Sequence, residues 1–258
     1  MRVAAIQHDI AWEDRAATLA RLEPQLRAAA AAGARLAVLS EMFPTGFSME
    51  PERVAEPEAG PSTDFLRTQA ADLSLWVAGS VPIRPDAGGR PVNRLLLCGP
   101  GGELHHYDKI HPFTYSGEHE HYAAGTRRIT VDVEGIRVTP FVCYDLRFAD
   151  EFWTEAQRTD CYVVVANWPA ARRAHWQALL VARAIENQAY VVGVNRVGEG
   201  GGLAYAGDSR IIDPLGEVLA GGAGGETILL ADVEPDVVTA TRKRFPFLAD
   251  RRPGGNDS

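Results

Sequence analysis

Few cysteines, no long apolar run and no excess of positive charge mark this sequence, and each shortage removes a class of protein. Its 258 residues include only three cysteines, Cys98, Cys143 and Cys161. An odd number cannot pair off internally, so free thiols in a reducing, cytoplasmic compartment are expected. No stretch approaches the ~18 apolar residues that span a bilayer, and no membrane partner is expected. The opening residues, MRVAAIQHDI, begin as a strand and are broken by Gln7, His8 and Asp9, unlike the apolar core of an export signal. A formal net charge of -8 argues against nucleic acid as a partner, because such binding neutralises phosphates with Lys and Arg. A small anion held by one or two local cations stays open.

Several motifs are missing too. There is no G-x-S-x-G elbow, which removes the commonest serine-hydrolase reading. Glu199-Gly200-Gly201-Gly202 carries neither the Lys-Ser/Thr of a phosphate loop nor a G-x-G-x-x-G arrangement. His105, His106, His111, His119 and His121 crowd around Glu118 and Glu120. Their spacing fits no standard ligand set such as H-E-x-x-H on a helix, so neither a metal nor a cofactor is expected.

What is present alternates short apolar runs with amphipathic stretches, the pattern of an α/β fold. Strands are predicted at Val3–Gln7, Leu36–Leu39, Trp76–Val81, Arg94–Cys98, Leu104–Asp108, Arg137–Val142, Tyr162–Ala166 and Tyr190–Asn195. Helices are predicted over Asp14–Ala32, stopped by Gly33, over Ser62–Ala71 with Ser62 as cap, and over Ala174–Gln188. Pro82–Gly89 and Gly221–Gly225 read as turns. With no linker or repeat, residues 1–250 read as one domain and 251–258 as a polar tail. Arg242–Phe247 mixes cations with apolar anchors and suits packing on a neighbouring chain.

Three segments place reactive side chains where an apolar strand ends, the position at which open α/β folds build their sites. They are Ser40-Glu41-Met42-Phe43, Lys109-Ile110-His111-Pro112-Phe113 and Cys143-Tyr144-Asp145-Leu146-Arg147-Phe148. A strand-end cysteine is commonly just a small buried hydrophobe, and Cys98 and Cys161 keep that reading. Cys143 differs in its company of Tyr144, Asp145 and Arg147. A helical turn starting there would favour a thiolate, and the Tyr144 N–H would face a substrate oxyanion. Glu41 between apolar flanks suits a general base of raised pKa. Lys109 among aromatics suits stabilisation of negative charge on a carbonyl oxygen. A solvated loop carboxylate and a surface lysine are the bland alternatives.

In order and spacing, Glu41-Met42-Phe43-Pro44, Tyr107-Asp108-Lys109-Ile110-His111-Pro112-Phe113 and Val142-Cys143-Tyr144-Asp145-Leu146-Arg147-Phe148 resemble the nitrilase superfamily of carbon–nitrogen hydrolases. That resemblance implies a four-layer α-β-β-α sandwich that pairs into a homodimer. It also implies a triad of Glu41, Lys109 and Cys143. A second glutamate is implied between Lys and Cys: Glu118, with Glu120 as fallback. Asn167-Trp168-Pro169-Ala170, His175-Trp176-Gln177-Ala178-Leu179 and Gly207-Asp208-Ser209-Arg210 resemble the ω-amidase branch, whose members convert 2-oxoglutaramate to 2-oxoglutarate and ammonia.

The expected partner is therefore a small-molecule amide carrying a carboxylate. Arg147, Arg172, Arg173 and His175 are the candidates to meet that carboxylate. Trp168, Phe43, Phe113 and Tyr115 are the candidate walls, beside Tyr144. Arg147 has a structural alternative, an ion pair with Asp145 or Glu151 that braces the loop. Deaminated-glutathione amidase, nitrilase, N-carbamoyl hydrolase and a non-catalytic interaction subunit are the competing functions.

Overall fold

The computed structural model describes residues 1–252; of the tail expected at 251–258, residues 253–258 lie outside the described residues. The chain builds one sheet, then a second, then returns to the first. Strands β1 (Arg2–Gln7), β2 (Leu36–Val38), β3 (Glu56–Pro57), β4 (Trp76–Arg84), β5 (Val92–Cys98) and β6 (Leu104–Asp108) come first. The second sheet holds β7 (Val131–Val133), β8 (Ile136–Val142), β9 (Cys161–Ala166), β10 (Tyr190–Asn195), β11 (Val197–Gly200), β12 (Leu203–Ile212) and β13 (Val218–Ala223). Strand β14 (Thr227–Asp232) then pairs antiparallel with β1. The sheet orders are β14-β1-β2-β4-β5-β6, with β3 on β4, and β11-β12-β10-β9-β8-β7, with β13 on β12. Each sheet has a parallel centre, β1-β2-β4 in one and β8-β9-β10 in the other.

Strand periodicity sorts the side chains of the first sheet into two cores. Val3, Ala5, Leu36, Val38, Trp76, Ala78, Leu95 and Leu97 join the apolar cluster shared with the second sheet. Their neighbours Ala4, Ile6, Ala37, Leu39, Val77, Leu96 and Cys98 join a separate cluster under the helices. Both faces are thus buried, which is why these strands read as unbroken apolar runs. Helices α1 (Arg15–Ala31) and α3 (Pro61–Leu73) cover the outer face with Leu22, Leu26, Ala29, Leu66 and Ala70; the short α2 (Pro51–Val54) lies between them in sequence. A second short helix, α4 (Glu118–His121), follows β6. Helices α5 (Ala149–Glu155), α6 (Arg173–Asn187) and α7 (Pro235–Arg244) add Phe152, Trp176, Leu180, Ala184 and Val238 to the second sheet's cluster. The result is a four-layer α-β-β-α sandwich.

Local boundaries depart from expectation in three places. Helix α3 starts at Pro61 behind Gly60, and Ser62 is not its cap: its N–H and hydroxyl both go to Glu56. Strand β4 runs through Pro82, paired opposite Asn93, and the turn begins only at Pro85. Gly221 and Gly222 pair with Arg210 and Ser209 inside β13, so only Gly224 and Gly225 form the turn. A Cβ at Gly222 would lie 2.7 Å from Thr227, so glycine there lets β13 pass close to β14. Arg242 turns inward: its Nη2 donates to the carbonyls of Ala156 (2.9 Å) and Thr159 (2.7 Å). The carbonyls of Asn187 and Gln188 also accept from its guanidinium, at 3.1 Å each.

Candidate active site

Glu41, Lys109 and Glu118 meet between the sheets, away from water. Their exposures are 0%, 1% and 0%. Beyond β2 the chain turns sharply at Met42, whose φ is 39°. The Met42 N–H donates to Ser80 Oγ at 2.8 Å and the Phe43 N–H to Ser80 O at 3.0 Å, which fixes the preceding Glu41 against β4. Lys109 leaves β6 with its N–H on Asn93 O, 2.9 Å. Its Nζ donates to Glu41 Oε1 at 2.9 Å and to Glu118 Oε2 at 2.8 Å. Glu118 opens α4, and its Oε2 also accepts the Phe113 N–H. Glu120, two residues on, is exposed. Asn93 Nδ2 donates to Glu41 Oε1 (2.8 Å) and to Glu118 Oε1 (3.2 Å). The Asn167 N–H, just past β9, donates to Glu41 Oε2 at 2.8 Å.

Cys143 tops β8 in a left-handed conformation, φ 46°, which a side chain with Cβ adopts only at a cost. It starts the 3-10 turn Cys143–Arg147, and the Tyr144 N–H belongs to the first turn, where no intrahelical acceptor exists. Asp145 holds this turn to the lysine loop. Its Oδ2 accepts from Tyr107 (2.8 Å) and the Val142 N–H (3.0 Å), and its Oδ1 accepts the His111 N–H (2.9 Å). Arg183, buried on α6, donates twice to Leu146 O, at 2.7 and 3.1 Å.

Burial, with the negative charge of Glu41, pushes the Cys143 thiol well above its usual range. The helical turn was expected to favour a thiolate; desolvation and the carboxylates outweigh it and Lys109 together. Burial alone would lower the Lys109 ammonium, but Glu118 and Glu41 reverse this and hold it charged. Burial raises the Glu118 carboxyl despite Lys109. The resting cluster is thus a neutral thiol beside carboxyl groups and a charged lysine. Cys98 and Cys161 are buried apolar thiols, the former pushed by burial up to about 12.

A cleft of about 490 Å³, mouth included, opens over Cys143, lined by Phe47, Phe113, Ser116, Tyr144, Arg147, Asn167, Trp168, Pro169, Arg172, Leu203 and Tyr205. Arg147 lies over the Trp168 ring, 4.8 Å from its centroid, and Arg172 over Phe113 at 5.4 Å. Neither guanidinium has a carboxylate partner among the described residues; Arg147 meets His175 Nδ1 at 3.2 Å instead.

Of the expected lining, Phe113, Tyr144, Arg147 and Trp168 reach the cleft. Phe43 does not: it is fully buried under α3 beside Phe65. Tyr115 is 86% exposed and only touches Phe113 from outside. Arg173 points to Asp208, Nη2 to Oδ1 2.7 Å, and is spoken for. His175 is exposed and stands behind Arg147. The alternative pairing of Arg147 with Asp145 or Glu151 does not form, because Tyr107 and His111 occupy the first and Arg128 the second. Sequence reasoning missed Asn93 and Tyr205. A buried amide inside the apolar run Val92–Cys98 is a legible signal for Asn93; Tyr205, in β12, offers none.

Residues 2–243 match the carbon-nitrogen hydrolase family model, and the chain belongs to that family. It is a carbon–nitrogen hydrolase. Among curated proteins it is 41% identical over 255 residues to omega-amidase YafV of Escherichia coli K12, covering 97% of this chain and 96% of that one. It is 31% identical to a 2-oxoglutaramate amidase of Bacillus subtilis over 221 residues, 83% and 84% of the two chains. Among solved structures, XC1258 of Xanthomonas campestris, a CN-hydrolase superfamily protein with an arsenic adduct in its active site, superposes with TM-score 0.93 at 38% identity over 99% and 98% of the chains. Saccharomyces cerevisiae Nit3 superposes at 0.87, with 25% identity over 95% and 94%.

Proposed function

We propose that this chain is an ω-amidase, hydrolysing the terminal amide of a short 2-oxo dicarboxylic acid monoamide such as 2-oxoglutaramate to the dicarboxylate and ammonia. The observation that carries the substrate class is the pair Arg147 and Arg172. Two guanidiniums without acidic partners flank one cleft above a thiol, a setting that favours a bound carboxylate. Aromatic walls hold the guanidinium planes without neutralising them. Among the described residues no carboxylate lines the cleft to receive an α-ammonium, so an oxo acid fits better than the corresponding amino acid. The relatives named for ω-amide and 2-oxoglutaramate hydrolysis support the same choice.

In the proposed reaction Glu41 takes the thiol proton as the Cys143 sulfur attacks the amide carbon. Deprotonation is coupled to attack, since the isolated thiolate is disfavoured in this buried cluster. Lys109 Nζ and the Tyr144 N–H stabilise the oxyanion of the tetrahedral adduct. Glu41 returns the proton to nitrogen, the C–N bond breaks, ammonia leaves and a thioester remains. A water deprotonated by Glu41 then adds to the thioester carbon; the C–S bond breaks, the acid departs and Cys143 regains its proton. Glu118 keeps Lys109 charged and in place throughout.

The test is ammonia release across 2-oxoglutaramate, 2-oxosuccinamate, deaminated glutathione, glutamine and simple nitriles. The highest kcat/KM is expected for the two short oxo-acid amides. Equal or better turnover of glutamine or of a nitrile would overturn the substrate assignment.

A further inference from the structure

Two buried carboxylates share a single buried cation, and such a cluster needs further donors to stay ionised. Beside the Phe113 N–H on Glu118 and the Asn167 N–H on Glu41, Asn93 supplies them. It sits in β5 with 1% exposure, opposite Pro82 of β4. Its Nδ2 reaches Glu41 Oε1 at 2.8 Å and Glu118 Oε1 at 3.2 Å, while its backbone carbonyl accepts the Lys109 N–H at 2.9 Å. With Lys109 Nζ on Glu41 Oε1 and Glu118 Oε2, the hydrogen bonds close a ring: Glu41, Lys109, Glu118, Asn93 and back to Glu41. Because both partners of Nδ2 are carboxylates, the amide orientation is fixed, and its Oδ1 is left buried without a donor. A group retained at that cost is held for what its N–H groups do.

We infer that Asn93 is a positioning residue that keeps Glu41 and Glu118 oriented and ionised while Lys109 turns its charge toward the reaction. The inference rests on the mechanism proposed above. As negative charge develops on the substrate oxygen, Lys109 Nζ is drawn toward it and its bonds to the two glutamates weaken. Asn93 stands outside the cleft lining, cannot follow that charge, and cannot lose a proton. It holds Glu41 in place and prevents the two glutamates from taking up a shared proton.

The experiment compares wild type with Asn93→Leu, which keeps the volume and removes the donors, and Asn93→Asp, which keeps the shape and replaces the donors with an acceptor. Each variant is first checked by thermal melting; if Asn93→Leu does not fold, Asn93→Asp carries the comparison. Loss of a donor to a buried charge predicts kcat lower by about 10- to 100-fold, with KM within about threefold because the cleft is untouched. The acidic limb of the kcat/KM–pH profile is expected to move to higher pH. A second readout needs no substrate: the pH dependence of iodoacetamide alkylation of Cys143 should move the same way. Alkylation that shifts while no amide is turned over by wild type would keep the role of Asn93 and reject the ω-amidase reading. Both pH profiles unchanged in a folded variant, or a loss confined to KM, would overturn the inference.

Discussion

The Asp145 carboxylate accepts both hydrogens that His111 presents to it, the backbone N–H at 2.9 Å and the ring Nδ1–H at 3.0 Å. Since a carboxylate can only accept, the ring carries its proton on Nδ1. This contact ties the loop that bears Lys109 to the turn that bears Cys143.

Asp145→Asn tests how much depends on that tie. An amide can keep one oxygen but must aim an N–H at donors, leaving the Tyr107 hydroxyl or the Val142 N–H without an acceptor. One buried donor lost in this way costs about 1–3 kcal/mol. Thermal or urea unfolding should register that loss, and kcat should fall more than KM rises, because the turn carrying the sulfur loosens while the cleft walls stay.

His111 makes the tie pH-dependent. Burial lowers its pKa, but the hydrogen bond and charge of Asp145, with Glu151 and Asp150, raise it further, so the folded value lies above the ordinary one. The stability it contributes is therefore complete below the unfolded pKa of about 6.5 and is lost as pH rises through the folded value. The stability gap between wild type and His111→Gln should be larger at about pH 5.5 than at about pH 9. A gap that grows with pH would mean the ring is neutral in the fold.

The two cleft arginines are separable by substrate charge. Arg147→Leu and Arg172→Leu should each raise KM for 2-oxoglutaramate by about 10- to 100-fold, the worth of one charge-assisted contact. Hydrolysis of a small neutral amide should change little. Steady-state ammonia assays on both substrates check this, and equal losses on both would assign the arginines to loop structure instead.

Much of this architecture is legible in the sequence because burial on both faces writes itself as apolar runs: β1, β4, β8, β9 and β10 announce themselves within a residue or a few. Strands β11 to β14 do not. Leu-Ala-Gly-Gly in β13 has no alternation to read, and its pairing with β12 is decided by partners far along the chain. The same division holds at the site. Glu41, Lys109 and Cys143 each follow a strand within a local motif. Asn167 and Tyr205 acquire meaning only when two sheets meet, and Phe43 and Arg173 show the converse. A plausible motif neighbour is claimed by the core in one case and by Asp208 in the other.

Every step of the mechanism passes through one sulfur, so the decisive measurement is kcat/KM for ammonia release from 2-oxoglutaramate by wild type and by Cys143→Ala of matching circular dichroism. The wild type should release stoichiometric ammonia and 2-oxoglutarate, and the variant none above the uncatalysed rate. A folded Cys143→Ala enzyme that keeps comparable turnover would contradict the account at its root.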